Sequence, residues 1–186
     1  MAIELPLVFA TVGTDVHPFH RMTSWIDTWL EQGGSRLAQC YMQTGTSREP
    51  RLADHDAYLG YSQMADKVQA ASAVVCHGGP GTIMLCVALG KRPIVIPRAA
   101  ARGEHVDDHQ QAFSRRVAAD GTVLLAETED QFRAHVESVL VNGSQPIARD
   151  GHDPREAAMR FEEVVLGLVG EGRKATRRTA PGWRKA

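Results

Sequence analysis

Ala73-Val-Val-Cys76, His77-Gly-Gly-Pro-Gly-Thr82 and, past a run closed by Gly90, Pro93-Ile-Val-Ile-Pro97 carry the strongest structural signal in this chain. The first segment reads as a short buried strand and the second as a glycine turn. A helix follows to about Leu89, and a second strand comes after Gly90. Pro80 suits the first turn of that helix, because the N–H it lacks would be unpaired there anyway. Both strand segments are almost continuously apolar, as expected of parallel strands covered on both faces. Strand, turn, helix and strand in this order form a βαβ unit.

The flanking sequence repeats the alternation. Leu5-Pro-Leu-Val-Phe-Ala-Thr-Val12 is a β-prone run that stops at Gly13-Thr14. Phe19, Met22, Ile26, Trp29 and Leu30 fall on one helical face, which ends at Gly33-Gly34. Leu37 to Met42 reads as the next strand, and a polar stretch from Thr46 to Asp56 leads to a short strand near Tyr58 to Tyr61. Ser62 resembles the N-cap of a helix reaching about Ala71. Beyond the central unit, Val106, Gln110, Phe113 and Val117 predict a helix, Thr122 to Leu125 a last strand, and Phe132, Val136, Val139 and Leu140 a further helix. Ala157, Ala158, Phe161, Val164, Val165 and Leu168 form a final apolar stripe. The fold class is therefore α/β, a Rossmann-like parallel sheet with helices on both faces. One domain is expected over residues 1–170, followed by a basic, disordered tail over 171–186 that holds Arg173, Lys174, Arg177, Arg178, Arg184 and Lys185. Trp25, Trp29 and Tyr61 are expected in the core.

Composition narrows the functional classes. A length of 186 residues suits one domain, and 43% hydrophobic content is enough for a real core. With 21 basic and 22 acidic residues the net charge is -1, which disfavours a globally basic nucleic-acid binder. The longest apolar runs fall well short of the roughly 20 residues of a membrane span. Met1 to Val12 carries Glu4 and no basic residue, unlike a secretory signal. Cys40, Cys76 and Cys86 show no CxxC spacing and read as reduced thiols of a cytoplasmic protein.

In doubly wound sheets, ligands bind outside the carboxyl ends of the strands. Two glycine turns occupy such ends here, after Val12 and after Cys76. In the second, Gly78, Gly79 and Gly81 remove three side chains, and the helix start offers unpaired amides and a positive dipole end to an anionic oxygen. Thr82 adds a hydroxyl. The alternative is a tight turn whose glycines merely allow helix–sheet packing. No GxxxxGK[ST] and no GxGxxG is present, which argues against a P-loop ATPase and a dinucleotide-dependent dehydrogenase. The loop from Pro97 to Gln111 is strongly polar, with Arg98, Arg102, Glu104, His105, Asp107, Asp108, His109 and Gln110. His105, Asp108 and His109 have a spacing compatible with metal ligation, yet the glutamate of HExxH is absent, and no metal is expected.

Taken in order, Phe9-Ala-Thr-Val-Gly-Thr14 with Pro18-Phe19, Cys76-His-Gly-Gly-Pro-Gly-Thr82, Gly90-Lys-Arg-Pro-Ile-Val-Ile-Pro97 and Glu104-His-Val-Asp-Asp-His-Gln110 resemble the C-terminal, donor-binding domain of glycosyltransferase family 28. The resemblance spans about Leu5 to Val141. It is nearest the stand-alone form, found in the catalytic half of the two-subunit dolichol-linked GlcNAc transferase and in bacterial exopolysaccharide transferase subunits. It implies one half of a GT-B fold that binds a UDP-sugar as donor substrate, with no further cofactor. Gly13 and Thr14, with His77, Gly78, Gly79, Gly81 and Thr82, would line the diphosphate and sugar. Pro97 and Arg98 would lie by the uracil, and His105, Asp108, His109 and Gln110 would face the donor sugar.

The resemblance further implies inverting, metal-independent hexosyl transfer in polysaccharide or lipid-linked glycan synthesis. An acceptor-binding, membrane-associated partner subunit would keep the protein cytoplasmic but peripheral to the membrane. His17 and Asp15 are the candidate catalytic bases, with a base from another chain as the alternative; their bland readings are a surface histidine and a turn former. One position departs from the family. Leu85 stands where an acidic residue usually holds the ribose hydroxyls, which keeps open a non-catalytic binding or scaffold role. Gly79→Val is expected to abolish nucleotide binding without unfolding the domain.

Overall fold

The computed structural model describes residues 5–143, within the first of two compact units, Met1–Asp150 and Gly151–Ala186. The expected stripe from Ala157 to Leu168, the boundary at residue 170 and the basic tail lie outside the described residues. Chain order is β1 (Leu7–Thr11), α1 (His20–Glu31), β2 (Gln39–Gln43), β3 (Asp54–Asp56), α2 (Tyr61–Ala70), β4 (Ala73–His77), α3 (Pro80–Ala88), β5 (Ile94–Ile96), α4 (His109–Ala119), β6 (Leu124–Leu125) and α5 (Glu129–Asn142). The strands pair in parallel in the order β3-β2-β1-β4-β5-β6. Strands β2 and β3 build out from one side of β1, and β4 to β6 from the other. The carboxyl ends of β1 and β4 therefore flank the topological switch point, where α/β sheets open a crevice.

Alternation along each strand divides the core between the two faces. Val8, Ala10, Val75, Ile94 and Ile96 meet Met22, Ile26, Trp29 and Leu30 of α1 and Phe132, Val136 and Val139 of α5. Phe9 and Val74 point the other way, to Val68 of α2 and Cys86 of α3. Each fully buried large side chain contributes about 1.5–3 kcal/mol. Trp29 is buried, and Trp25 packs beside it on Phe132 with ring centroids 6.2 Å apart.

Several expectations need correction. The strand near Tyr58 to Tyr61 is instead Asp54–Asp56, at the edge of the described sheet, where polar side chains reach water and no apolar run is needed. Tyr61 is 80% exposed, not core. Helix α2 starts at Tyr61, before Ser62, and the Gly60 N–H at its start donates to Gln63 Oε1 at 2.9 Å. Helix α4 starts at His109, leaving Val106 in an exposed loop.

Candidate functional site

Three loops meet at the carboxyl edge of the sheet, following β1 (residues 12–19), β4 (78–79) and β5 (97–108). The His77 imidazole fills the gap between the first two. A Cβ built on Gly13 would come within 2.5 Å of the His77 ring, and one on Gly79 would collide with its Nε2. A Cβ on Gly78 would lie 2.6 Å from Ser114 Oγ, so that glycine lets α4 approach the turn. The packing explanation thus accounts for Gly78 and Gly79. It does not account for Gly81, where no described atom lies within 4 Å of a built Cβ. The first helical bond of α3 runs from the Ile83 N–H to the Gly79 carbonyl at 3.2 Å. The Gly81 and Thr82 amides precede it, at the helix end that attracts anions.

Gly13 is less available than the sequence implied. It holds φ +80°, and its N–H donates to Thr11 Oγ1 and to Gln43 Oε1, both at 3.1 Å. Gln43 also accepts from the Thr11 hydroxyl at 2.5 Å and donates to the carbonyls of Gly13 (2.9 Å) and Ala57 (2.8 Å). This saturates the amide and clamps the ends of β1 and β2 to the loop after β3. Sequence reading missed Gln43; its one signal was an amide side chain ending an otherwise mostly apolar strand.

Arg98 is likewise committed within the protein through its side chain. It is fully buried. Its Nη1 donates to the carbonyls of His17 (2.7 Å) and Glu104 (2.8 Å), its Nη2 to that of Val12 (2.8 Å), and its guanidinium lies over Phe19 at 4.8 Å. Burial pulls its pKa below the usual arginine value, against the opposing charges of Asp15 and Glu104. Glu104 grips Arg21 with both oxygens, at 2.9 and 2.7 Å, and accepts the Ala99 N–H at 2.9 Å, while Arg21 also donates to the Pro97 carbonyl at 2.8 Å. This arginine–glutamate–arginine brace ties the β1 loop to the β5 loop.

Asp15, His17, His105 and Asp107 lie on the two braced loops. Asp15 Oδ1 accepts the His17 main-chain N–H at 2.7 Å and lies 2.7 Å from His17 Nδ1; Oδ2 lies 3.6 Å from His105 Nε2. Burial raises the Asp15 pKa, but hydrogen bonds from His17 and the charges of Arg98 and His105 outweigh it, so the net shift is downward. Asp108 accepts from the Ala100 N–H at 2.9 Å and from Gln111 at 2.7 Å, a fold-supporting position. The His109 side chain is exposed. Gln110 Oε1 is buried without a partner among the described residues. Thr14 is exposed and Thr82 half-buried. Among the described residues no cluster of His, Cys, Asp or Glu is arranged to hold a metal.

Burial, reinforced by the Arg98 charge, pushes the His77 pKa down to about 4 from 6.5; the Thr11 main chain and Asp15 oppose this only in part. The folded value lies below the unfolded one. Stability is therefore fully present above pH 6.5 and declines as pH falls toward about 4. The loss reaches at most about 3 kcal/mol, less screening at a partly exposed ring. Urea unfolding at pH 7 and pH 4.5 should show this slope in the natural chain and a flatter one in His77→Gln.

A doubly wound parallel sheet with an open helix start beside its switch point makes this a Rossmann-like domain. The family model described as the glycosyltransferase family 28 C-terminal domain matches residues 8–164, and the chain belongs to that family. Among curated proteins it is similar to the UDP-N-acetylglucosamine--N-acetylmuramyl-(pentapeptide) pyrophosphoryl-undecaprenol N-acetylglucosamine transferase of Xylella fastidiosa (strain Temecula1 / ATCC 700964). The two are 38% identical over 114 residues, 56% of this chain and 30% of that protein. The same enzyme of Xanthomonas euvesicatoria pv. vesicatoria (strain 85-10) is 30% identical over 148 residues, 71% of this chain and 30% of that protein. The chain thus spans about 30% of the length of these relatives.

Among solved structures, the NMR solution structure of ALG13 superposes with a TM-score of 0.58 at 17% identity, covering 87% of this chain and 98% of that one. MurG of Acinetobacter baumannii gives a TM-score of 0.52 at 15% identity, over 75% of this chain and 42% of that one. These likenesses show the shared fold. Among the described residues no helix is long and apolar enough to cross a membrane.

Proposed function

We propose that this chain is the donor-binding half of a UDP-sugar-dependent hexosyltransferase of polysaccharide or lipid-linked glycan synthesis, inverting and metal-independent. The observation that carries the reading is the open start of α3 at Gly81, beside the switch point of a family 28 domain. When the sugar–diphosphate bond breaks, negative charge develops on the departing β-phosphate. Fixed amides at the helix start can stabilise it without reorganising. The acceptor hydroxyl gives its proton to a base on the loop after β1. A membrane-associated partner subunit brings the acceptor and holds the otherwise cytoplasmic chain at the membrane surface. Robust transfer to a lipid acceptor by this chain alone would refute the need for a partner.

Calorimetry with UDP and a panel of UDP-sugars tests donor binding, and Gly81→Val localises it. A side chain there enters open space, so the unfolding free energy should move by less than about 1 kcal/mol. The affinity for UDP should fall at least about tenfold, equivalent to 1.4 kcal/mol, because the new methyls occupy the anion's approach to the amides. Unchanged affinity would sink the site assignment.

Leu85 favours a second reading, a non-catalytic binding or scaffold module. It packs against the apolar cluster of Phe9, Val68, Val74 and Cys86, where it offers no acceptor for a ribose hydroxyl. Absence of measurable binding to UDP and to every UDP-sugar would establish this reading in place of the first.

A further inference from the structure

We infer that His17 Nε2 is the proton acceptor of the transfer reaction, with Asp15 and His105 as its positioning residues, an assignment that rests on the transferase reading above. The sequence left Asp15 and His17 as equal candidates within this chain, beside a base from another chain, and the geometry separates the two. Asp15 Oδ1 faces His17 Nδ1 at 2.7 Å while accepting the His17 main-chain N–H at the same distance. A carboxylate only accepts, so the His17 ring must carry its proton on Nδ1. The lone pair then sits on Nε2, which has no hydrogen bond among the described residues, on a ring whose side chain is 34% exposed.

Asp15 cannot itself serve as well, since its oxygens face two imidazoles. His105 Nδ1 lies 3.3 Å from the Asp107 main-chain nitrogen and 3.2 Å from the Asp107 carboxylate, and His105 Nε2 lies 3.6 Å from Asp15 Oδ2. The carboxylate is thus flanked by an imidazole from each loop, and its two hydrogen bonds with His17 fix that ring. The loops are fixed in turn by Arg98, which holds the His17 carbonyl at 2.7 Å. The charged and titratable groups facing this pair are Arg98, His105 and His77 beside Asp15, with Asp107 behind His105 at 3.2 Å.

In the reaction, the acceptor oxygen bonds to the anomeric carbon as the bond from that carbon to the β-phosphate oxygen breaks. The electron pair leaves with the diphosphate. The acceptor's proton passes to His17 Nε2, and the resulting imidazolium is stabilised by Asp15 before it releases the proton to water.

Nitrogen-15 NMR of the imidazoles in the full chain without ligand should show His17 as the Nδ1–H tautomer. Asp15→Asn should mix the tautomers, because an amide can donate as well as accept opposite Nδ1. In the transfer assay, with the acceptor-bearing partner if one is required, His17→Gln should lower kcat about 100-fold or more. KM for the UDP-sugar should stay within a few-fold. Asp15→Asn should lower kcat less. His105→Gln should broaden the His17 tautomer signal, which a merely structural role would leave unmoved. A His17 ring protonated on Nε2, or kcat within threefold of the natural chain in His17→Gln, overturns the assignment while leaving donor binding intact. Failure of the natural chain to bind UDP overturns the transferase reading instead, with the tautomer result unaffected.

Discussion

Gly79→Val should destabilise the domain by about 2–3 kcal/mol, in addition to any loss of nucleotide binding. Backbone strain is not the cause, because φ -76° and ψ 127° at Gly79 suit valine well. The new side chain collides with the His77 imidazole, which Gly13 also crowds. The ring is already close to Gly13, so relief requires the turn or the end of β4 to shift. Removing the ring separates this effect from ligand chemistry: His77→Ala combined with Gly79→Val should be less destabilised than the two single effects summed, by at least about 1 kcal/mol. Additive costs in that double-mutant cycle, read by urea unfolding, would refute the steric account. From sequence, Gly79→Val was a clean probe of phosphate binding. With His77 in place that role passes to Gly81.

Arg98→Met should cost about 3 kcal/mol or more, because three main-chain carbonyls lose their donor. Methionine fills much of the arginine's volume but donates nothing. The carbonyls of Val12, His17 and Glu104 would be left buried without their donor, each at about 1–3 kcal/mol if unrelieved. Arg98→Lys should recover less than half of the loss, because one ammonium on a flexible stem cannot reproduce a planar fork that reaches three carbonyls. The His17 ring should also become mobile, since its loop loses an anchor, and NMR relaxation of that imidazole would report it. A lysine variant as stable as the natural chain would show that charge alone suffices at this position.

The fold was legible because it rests on local patterns: the period and length of apolar runs, and where glycine and proline interrupt them. Ala73 to Cys76, the glycine turn and Pro93 to Pro97 led to β4, α3 and β5, and the flanking runs led to β1, β2 and the helices α1 and α5. The edge strand β3 escaped because strands with one free edge need no apolar signature. The site was legible only as a set of loops. Which glycine makes room for a side chain and which opens to solvent depends on His77, Ser114 and Gln110, which lie in other elements or across the turn. Whether Arg98 meets a ligand or the protein's own carbonyls depends on how closely the loop after β1 approaches the loop after β5. Those are long-range distances, and no residue's identity encodes them. Hydrophobic periodicity dictated the sheet and its helices; the direction of each polar side chain at the sheet's edge came from packing between segments up to 86 positions apart, as in the bond from Arg98 to the Val12 carbonyl.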